Sequence, residues 1–132
     1  MSTRLTSWHV YLAVAIGGMI GAVGRYGISI LLENHFLFPI ETLTANLIGC
    51  FLLSFLLNSE WFKKQFSQTI STGITTGIIG SFTTFSTFAV ETIALGANHV
   101  FLCFVYVLLS IVGGLLLCYL GYRLANKGQE TS

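Results

Sequence analysis

Charged side chains are scarce in this chain. Of its 132 residues, 8% are Asp, Glu, Lys or Arg, whereas a soluble globular domain has about 25%. Hydrophobic residues make up 54%. This composition excludes an ordinary soluble domain and predicts that nearly all of the chain lies in a membrane, in contact with lipid. The net charge is +1 and no basic run occurs, so the sequence also excludes an electrostatic surface for nucleic acid.

Cysteine and histidine are also few. The three cysteines, Cys50, Cys103 and Cys118, lie within apolar stretches and show neither a CxxC spacing nor a Cys/His pattern. We therefore expect them to be packing residues. The three histidines lie near predicted segment ends, where an interfacial imidazole is common, and they form no catalytic or metal-ligand pattern.

Four apolar segments are separated by short polar connections. They cover residues 8–32, 42–58, 69–96 and 100–125, and a bilayer crossing needs about 20 apolar residues, with a lower limit of about 17. The predicted fold is an all-α membrane protein, a single domain over residues 1–132 with four transmembrane helices. The first segment lacks a small-residue cleavage site, so we expect a retained helix rather than a signal peptide.

The third segment carries the least ordinary pattern. Hydroxyl and phenyl side chains alternate over residues 80–88, where an aliphatic helix is expected, and Gly73 and Gly77 precede them. Irregular backbone at membrane depth is tolerated only where protein buries it or a water-filled cavity lines it. The pattern predicts a broken third helix that forms an ion or substrate site.

Polar groups in the apolar segments are candidates for that site. An ionisable side chain near mid-membrane costs at least about 2.5 kcal/mol, so Arg25 and Glu91 must face protein or water, or reach an interface. For Arg25, a structural role and a direct role in attracting anions are both open. For Asn46, the alternatives are an interhelical hydrogen bond and a donor to a passing anion.

A track of hydroxyl groups and phenyl rings follows from helical spacing. Thr84, Thr87 and Glu91 share one face of the third segment, and Phe85 and Phe88 lie on a neighbouring face. The edge of a phenyl ring carries the positive end of its quadrupole. Ring edges and hydroxyls together would meet a small dehydrated anion without trapping it, which favours conduction through several weak sites. Two further hydroxyls stand at i, i+4 in the fourth segment, at Tyr106 and Ser110.

The chain resembles the bacterial fluoride channels of the Fluc family, also called CrcB. The resemblance covers all four segments, and its most specific part is the string over residues 83–88. The matching motifs are Gly24-Arg25, Thr42-x3-Asn46, Gly80-x2-Thr-Thr-Phe-Ser-Thr-Phe-x2-Glu91 and Tyr106-x3-Ser110. The resemblance implies an antiparallel dimer with two fluoride pores and a structural sodium ion, not transported, at the interface.

The family also implies residue roles. The main-chain carbonyls of Gly80 and Thr83 would bind the sodium ion. The chain departs from the family pattern at Ser81 and Phe82, where we expect Gly and a smaller apolar residue. The fluoride pathway would comprise Asn46, Phe85, Phe88, Thr87, Tyr106 and Ser110, with Arg25 as a candidate for attracting anions.

We therefore expect a passive fluoride channel of the bacterial cell membrane that lowers cytoplasmic fluoride, and no enzyme activity. The alternative is a small proton-coupled multidrug exporter, which needs a membrane-embedded carboxylate. The first two segments offer none at depth, so Glu91 would have to serve alone. A third possibility, an assembly factor without transport, leaves the hydroxyl and phenyl track unexplained.

The distribution of Lys and Arg predicts the orientation. With four spans, the termini and the connection over residues 60–68 share one side. That side carries Arg4, Lys63, Lys64, Arg123 and Lys127. Such a bias predicts cytoplasmic termini. The family contains dual-topology homodimers and pairs of oppositely oriented paralogues. The bias favours the pair, with a homodimer as the alternative.

Overall fold

The computed structural model describes residues 8–33 and 37–130, which are helical apart from short connections. Arg4 and His35 lie outside the described residues. The elements are α1 (Trp8–Leu31), α2 (Ile40–Asn58), α3 (Glu60–Gln65), α4 (Gln68–Thr72), a π-helical stretch (Gly73–Ile79), α5 (Gly80–Phe82), α6 (Phe85–Asn98) and α7 (Val100–Glu130).

Four helical stretches are long and apolar enough to cross a membrane, which confirms the predicted all-helical architecture. They are Trp8–Leu31, Ile40–Asn58, Gln68–Asn98 and Val100–Glu130. At a rise of 1.5 Å per residue, the 31 residues of α7 span about 46 Å. A bilayer has a hydrocarbon core of about 30 Å, so α7 is long enough to extend beyond it.

The third stretch changes its backbone geometry twice. Residues 73–79 are π-helical, and after α5 the backbone becomes extended, with φ −82° and ψ 158° at Thr83 and φ −148° and ψ 121° at Thr84. Both threonines are β-branched, which favours extended backbone. The Thr84 hydroxyl then accepts a hydrogen bond from the Thr87 amide at 3.3 Å, and this N-cap begins α6.

Small residues set the helix contacts. Gly17 and Gly21 of α1 are buried against the π-helical stretch, and a Cβ on Gly17 would collide with the Gly73 carbonyl oxygen. On the other side of the molecule, α2 packs along α7, where a Cβ on Gly121 would lie 2.7 Å from the Phe51 carbonyl oxygen. The absence of side chains lets the backbones approach closely, as in other membrane helix pairs.

We expect Gly17→Ala to destabilise the protein by about 1–3 kcal/mol, because the added methyl group overpacks a contact made by backbone. Gly18→Ala is the matched control, since a Cβ there meets no atom within 4 Å. Denaturation of both variants in detergent, followed by circular dichroism, measures the difference. Equal stability of the two variants would contradict the close contact of α1 with the π-helical stretch.

The connection between the second and third spans contains α3, a short helix that was not predicted. The Ser59 hydroxyl accepts from the Phe62 amide and caps it. Lys63 forms a 3.0 Å salt bridge with Glu60. The hydrogen bond from Lys63 lowers the pKa of the exposed Glu60 carboxyl, and the lysine charge adds to this effect. The Glu60 carboxyl is therefore ionised at neutral pH.

Candidate functional site

Asn46 of α2 is bonded to the extended backbone between α5 and α6. Its Nδ2 donates to the Thr84 carbonyl oxygen at 3.0 Å, and the Thr84 amide donates to Asn46 Oδ1 at 2.8 Å. The interhelical hydrogen bond considered from the sequence is therefore present. An asparagine amide has two N–H groups and Thr84 takes one of them, so the second is left to donate to another acceptor.

This pairing changes the bonding of two main-chain carbonyl groups. In a continuous helix the Thr84 amide would donate to Gly80 and the Thr87 amide to Thr83. The first of these amides bonds Asn46 Oδ1 and the second bonds Thr84 Oγ1. The Thr83 hydroxyl approaches the Gly80 oxygen only at 3.5 Å, and it bonds the Ile79 oxygen at 3.0 Å. The carbonyls of Gly80 and Thr83 thus lose their usual helical donors.

A row of aromatic rings leads from the surface to the interior. Phe85 is 80% exposed, and its ring centroid lies 6.1 Å from that of Phe88. Phe88 in turn lies 5.2 Å from Tyr106, which is fully buried. On its other side Tyr106 makes an edge-to-face contact with Phe38, with ring centroids 5.6 Å apart and ring planes at 84°. The rings therefore form a continuous path from the exposed face to the centre of the bundle.

Glu91 joins three helices through its carboxylate. Thr42 of α2 donates to Oε1 at 2.8 Å, and Tyr106 of α7 donates to Oε2 at 2.7 Å. Each carboxylate oxygen of Glu91 therefore accepts one hydrogen bond from a neutral hydroxyl group. The role of Thr42 was not predicted. Its i, i+4 spacing from Asn46, which places both side chains on one face of α2, was the available signal.

The remaining hydroxyls differ in what they offer a ligand. Ser110 donates to the Tyr106 carbonyl oxygen at 2.8 Å, so in this rotamer it presents acceptor lone pairs rather than a hydrogen. Thr87 Oγ1 accepts from Thr84 Oγ1 at 3.0 Å, which leaves its own hydrogen to donate. Among the hydroxyls of the predicted track, Thr87 is therefore the one that donates no hydrogen bond to a described group.

Two cavities flank the extended segment, and Thr84 lines both. The first has a volume of about 290 Å³ and is lined by Ala22, Arg25, Tyr26, Ser29, Glu41, Thr42, Ala45, Thr84, Thr87 and Glu91. The second has about 470 Å³ and is lined by Asn46, Gly49, Cys50, Leu53, Thr75, Ile79, Gly80, Thr83, Thr84, Phe85, Phe88, Ser110, Ile111 and Cys118.

The two cavities divide the predicted site residues. Asn46, both phenylalanines, Ser110 and the two sodium candidates line the second cavity, whereas Arg25 and Thr87 line the first. Tyr106 connects them, because it contacts Phe88 of the second cavity and donates to Glu91 of the first. Each predicted site residue therefore lines one of the two cavities or, in the case of Tyr106, contacts residues of both.

The first cavity is the more charged of the two. Arg25 and two carboxylates, Glu41 and Glu91, line it, and Ser29 donates to Glu41 Oε2 at 2.7 Å. Within residues 8–33 and 37–130, Arg25 takes part in no salt bridge. Arg25 therefore lines this cavity without a carboxylate partner among the described residues.

Residues 12–122 match the family described as "CrcB-like protein, Camphor Resistance (CrcB)". The chain is similar to proteins named fluoride-specific ion channel FluC 1: it is 46% identical to one from Bacillus cereus (strain ATCC 10987 / NRS 248) over 89% of this chain and 88% of the relative. It is 47% identical to another FluC 1, from Desulfitobacterium hafniense (strain Y51), over 86% of this chain and 100% of the relative. A protein named FluC 2 from Listeria innocua is 43% identical over 89% of this chain and 91% of the relative.

Proposed function

Because this chain belongs to the CrcB family, we propose that it is a multi-pass membrane channel selective for fluoride, through which the ion leaves the cell passively. The observation that carries the proposal is the pairing of Asn46 with Thr84. It holds an amide donor, the Thr87 hydroxyl and the phenyl edges between two cavities. Because the relatives are named as ion channels, we expect no enzyme activity.

Fluoride is bound along this route by groups that replace its water. The Asn46 N–H and the Thr87 hydroxyl donate hydrogen bonds, and the edges of Phe85 and Phe88 supply positive quadrupole ends. Each contact is weak compared with a fixed positive charge, so an ion moves on instead of being trapped. Arg25 raises the anion concentration in the first cavity, and it does not line the second cavity, where Phe85 and Phe88 lie.

Fluoride efflux from liposomes that contain only this protein tests the function. Vesicles loaded with potassium fluoride receive valinomycin without a proton gradient, and a fluoride electrode records the release. Rapid release above that of protein-free vesicles supports the channel. Efflux of a lipophilic cation driven by a proton gradient would support the exporter instead. Absence of both fluxes, even when an oppositely oriented relative is reconstituted in the same vesicles, would support an assembly factor.

The channel works as an antiparallel dimer built around the interrupted third helix. Gly80 and Phe85 are exposed on a single chain, next to carbonyls that have lost their helical donors. Lipid cannot hydrogen-bond such backbone, and a second subunit over the open side of the second cavity would cover it. The partner's rings would then complete the pathway.

The dimer interface holds a sodium ion through the carbonyls of Gly80 and Thr83 from both subunits. These oxygens suit a hard cation, which prefers oxygen ligands, and their geometry arises from the Asn46 pairing. We expect replacement of sodium by N-methylglucamine throughout purification to weaken the dimer and to stop fluoride flux, with recovery when sodium is returned. Sodium-independent flux and dimerisation would contradict this site.

The chain inserts with both termini in the cytoplasm and pairs with an oppositely oriented relative. On the described residues, the charge bias rests on Lys63, Lys64, Arg123 and Lys127. The numbered names FluC 1 and FluC 2 are those expected if some organisms carry more than one such chain. A C-terminal tag is expected to be accessible only from the cytoplasmic side of cells. Comparable accessibility from both sides, or full fluoride resistance from this chain alone, would favour the dual-topology homodimer.

A further inference from the structure

Two of the three cysteines meet where α2 packs on α7. The Cys118 thiol donates to the Cys50 carbonyl oxygen at 3.5 Å. The Cys50 sulfur lies 3.4 Å from the position that a Cβ on Gly114 would take, and Gly114 stands one turn before Cys118 on the same face of α7. Both sulfurs therefore occupy one patch of the helix interface. Cys103 lies elsewhere and donates to the Thr92 carbonyl oxygen.

The surrounding contacts fix the separation of the two helices. The Ser54 hydroxyl, one turn after Cys50, donates to the Cys118 carbonyl oxygen at 2.6 Å. The buried glycines of α7, Gly114 and Gly121, let the backbones approach. Packing of this kind holds the two thiols next to each other without a disulfide, since all three cysteines are free.

Both thiols also line the second cavity. They share its wall with Asn46, Phe85 and Phe88, the residues assigned above to the fluoride pathway. A ligand that reaches this cavity therefore meets two sulfur atoms beside the route of the anion.

We propose that Cys50 and Cys118 form a two-sulfur site for a soft, thiol-binding divalent metal cation, and that its occupation closes the anion pathway. Thiolates are the ligands that soft metals select, and they must lose their protons to bind. For the probe Hg²⁺, two thiols and one metal ion give a neutral S–Hg–S bridge and release two protons. A neutral product suits an apolar cavity, because a net charge buried there is costly.

Two sulfurs also define which metals the site excludes. Structural zinc sites need four ligands, and no group of three or more His, Cys, Asp or Glu side chains suited to a metal occurs among the described residues. Mercury binds two thiolates in a linear arrangement and needs no further ligand. We therefore expect Hg²⁺ to occupy the site and Zn²⁺ to leave it empty.

Binding is tested by counting thiols in the purified protein, independently of transport. One equivalent of Hg²⁺ is expected to lower the thiols that react with a disulfide reagent after mild detergent unfolding from three to one. In Cys103→Ser, the same addition should leave none. Loss of a single thiol per metal, or a mercury-linked dimer in non-reducing gels, would overturn the two-sulfur site.

The effect on the pathway rests on the proposed function and is measured in the fluoride efflux assay. Hg²⁺ should block efflux from wild type and Cys103→Ser, with recovery on adding dithiothreitol. Cys50→Ser and Cys118→Ser should each require at least about 100-fold more Hg²⁺ for the same block. In the wild type the second sulfur binds the ion as an intramolecular ligand, and each variant lacks one of the two sulfurs. Unchanged sensitivity in both variants would overturn the proposal. Absence of any fluoride flux, with thiols still lost in pairs, would instead contradict the channel function and leave the metal site standing.

Discussion

Asn46→Asp is expected to reduce fluoride flux by about three orders of magnitude. The substitution replaces the N–H donors with a carboxylate that accepts hydrogen bonds only. At an effective dielectric constant of about 20, an anion about 4 Å from that carboxylate is destabilised by about 4 kcal/mol, and each 1.4 kcal/mol is about a factor of ten. The carboxylate also faces the Thr84 carbonyl oxygen, which accepts from Asn46 Nδ2 in the native protein.

Asn58→Asp is the matched control for this variant. Asn58 lies at the last position of the same helix and donates to the Ser54 carbonyl oxygen, but it lines neither cavity. Flux through Asn58→Asp should stay near that of wild type, and gel filtration should show that both variants remain folded. Wild-type efflux through a folded Asn46→Asp would restrict Asn46 to a structural role at Thr84.

Phe85→Ile and Phe88→Ile are each expected to reduce fluoride flux about two- to tenfold while the protein remains folded. Isoleucine keeps apolar volume but removes the ring edge, and aromatic contacts are worth about 0.5–1.5 kcal/mol beyond burial. Phe85 is largely exposed on the single chain, so its replacement should leave stability nearly unchanged. Phe88 also packs on Tyr106, so its replacement should lower stability as well.

Phe101→Ile serves as the control for the two ring substitutions. Phe101 is 77% exposed on α7 and lines neither cavity, so the same chemical change is made away from the route. Fluoride electrode traces from matched liposomes give the flux of each variant. Retention of full flux by both Phe85→Ile and Phe88→Ile would exclude the aromatic part of the pathway.

The membrane architecture was predictable from the sequence by itself. A membrane helix satisfies its own backbone hydrogen bonds, so a long apolar run is sufficient to predict one, and four such runs are present. The membership of the CrcB family was predictable as well, because the Thr and Phe string over residues 83–88 is contiguous. The assignment of individual anion contacts to Asn46, the phenylalanines and Ser110 stays a prediction.

The tertiary structure decided which polar groups are partners. Asn46 and Thr84 are 38 positions apart, Thr42 and Glu91 are 49 apart, and Cys50 and Cys118 are 68 apart. Such pairs depend on how each helix is rotated about its axis and on how closely glycines let it approach its neighbours. Apolar segments fix neither quantity, since lipid favours all apolar faces equally. The sequence therefore determined the helices and their polar side chains, whereas packing alone determined that Thr84 bonds Asn46 and that two thiols share a cavity.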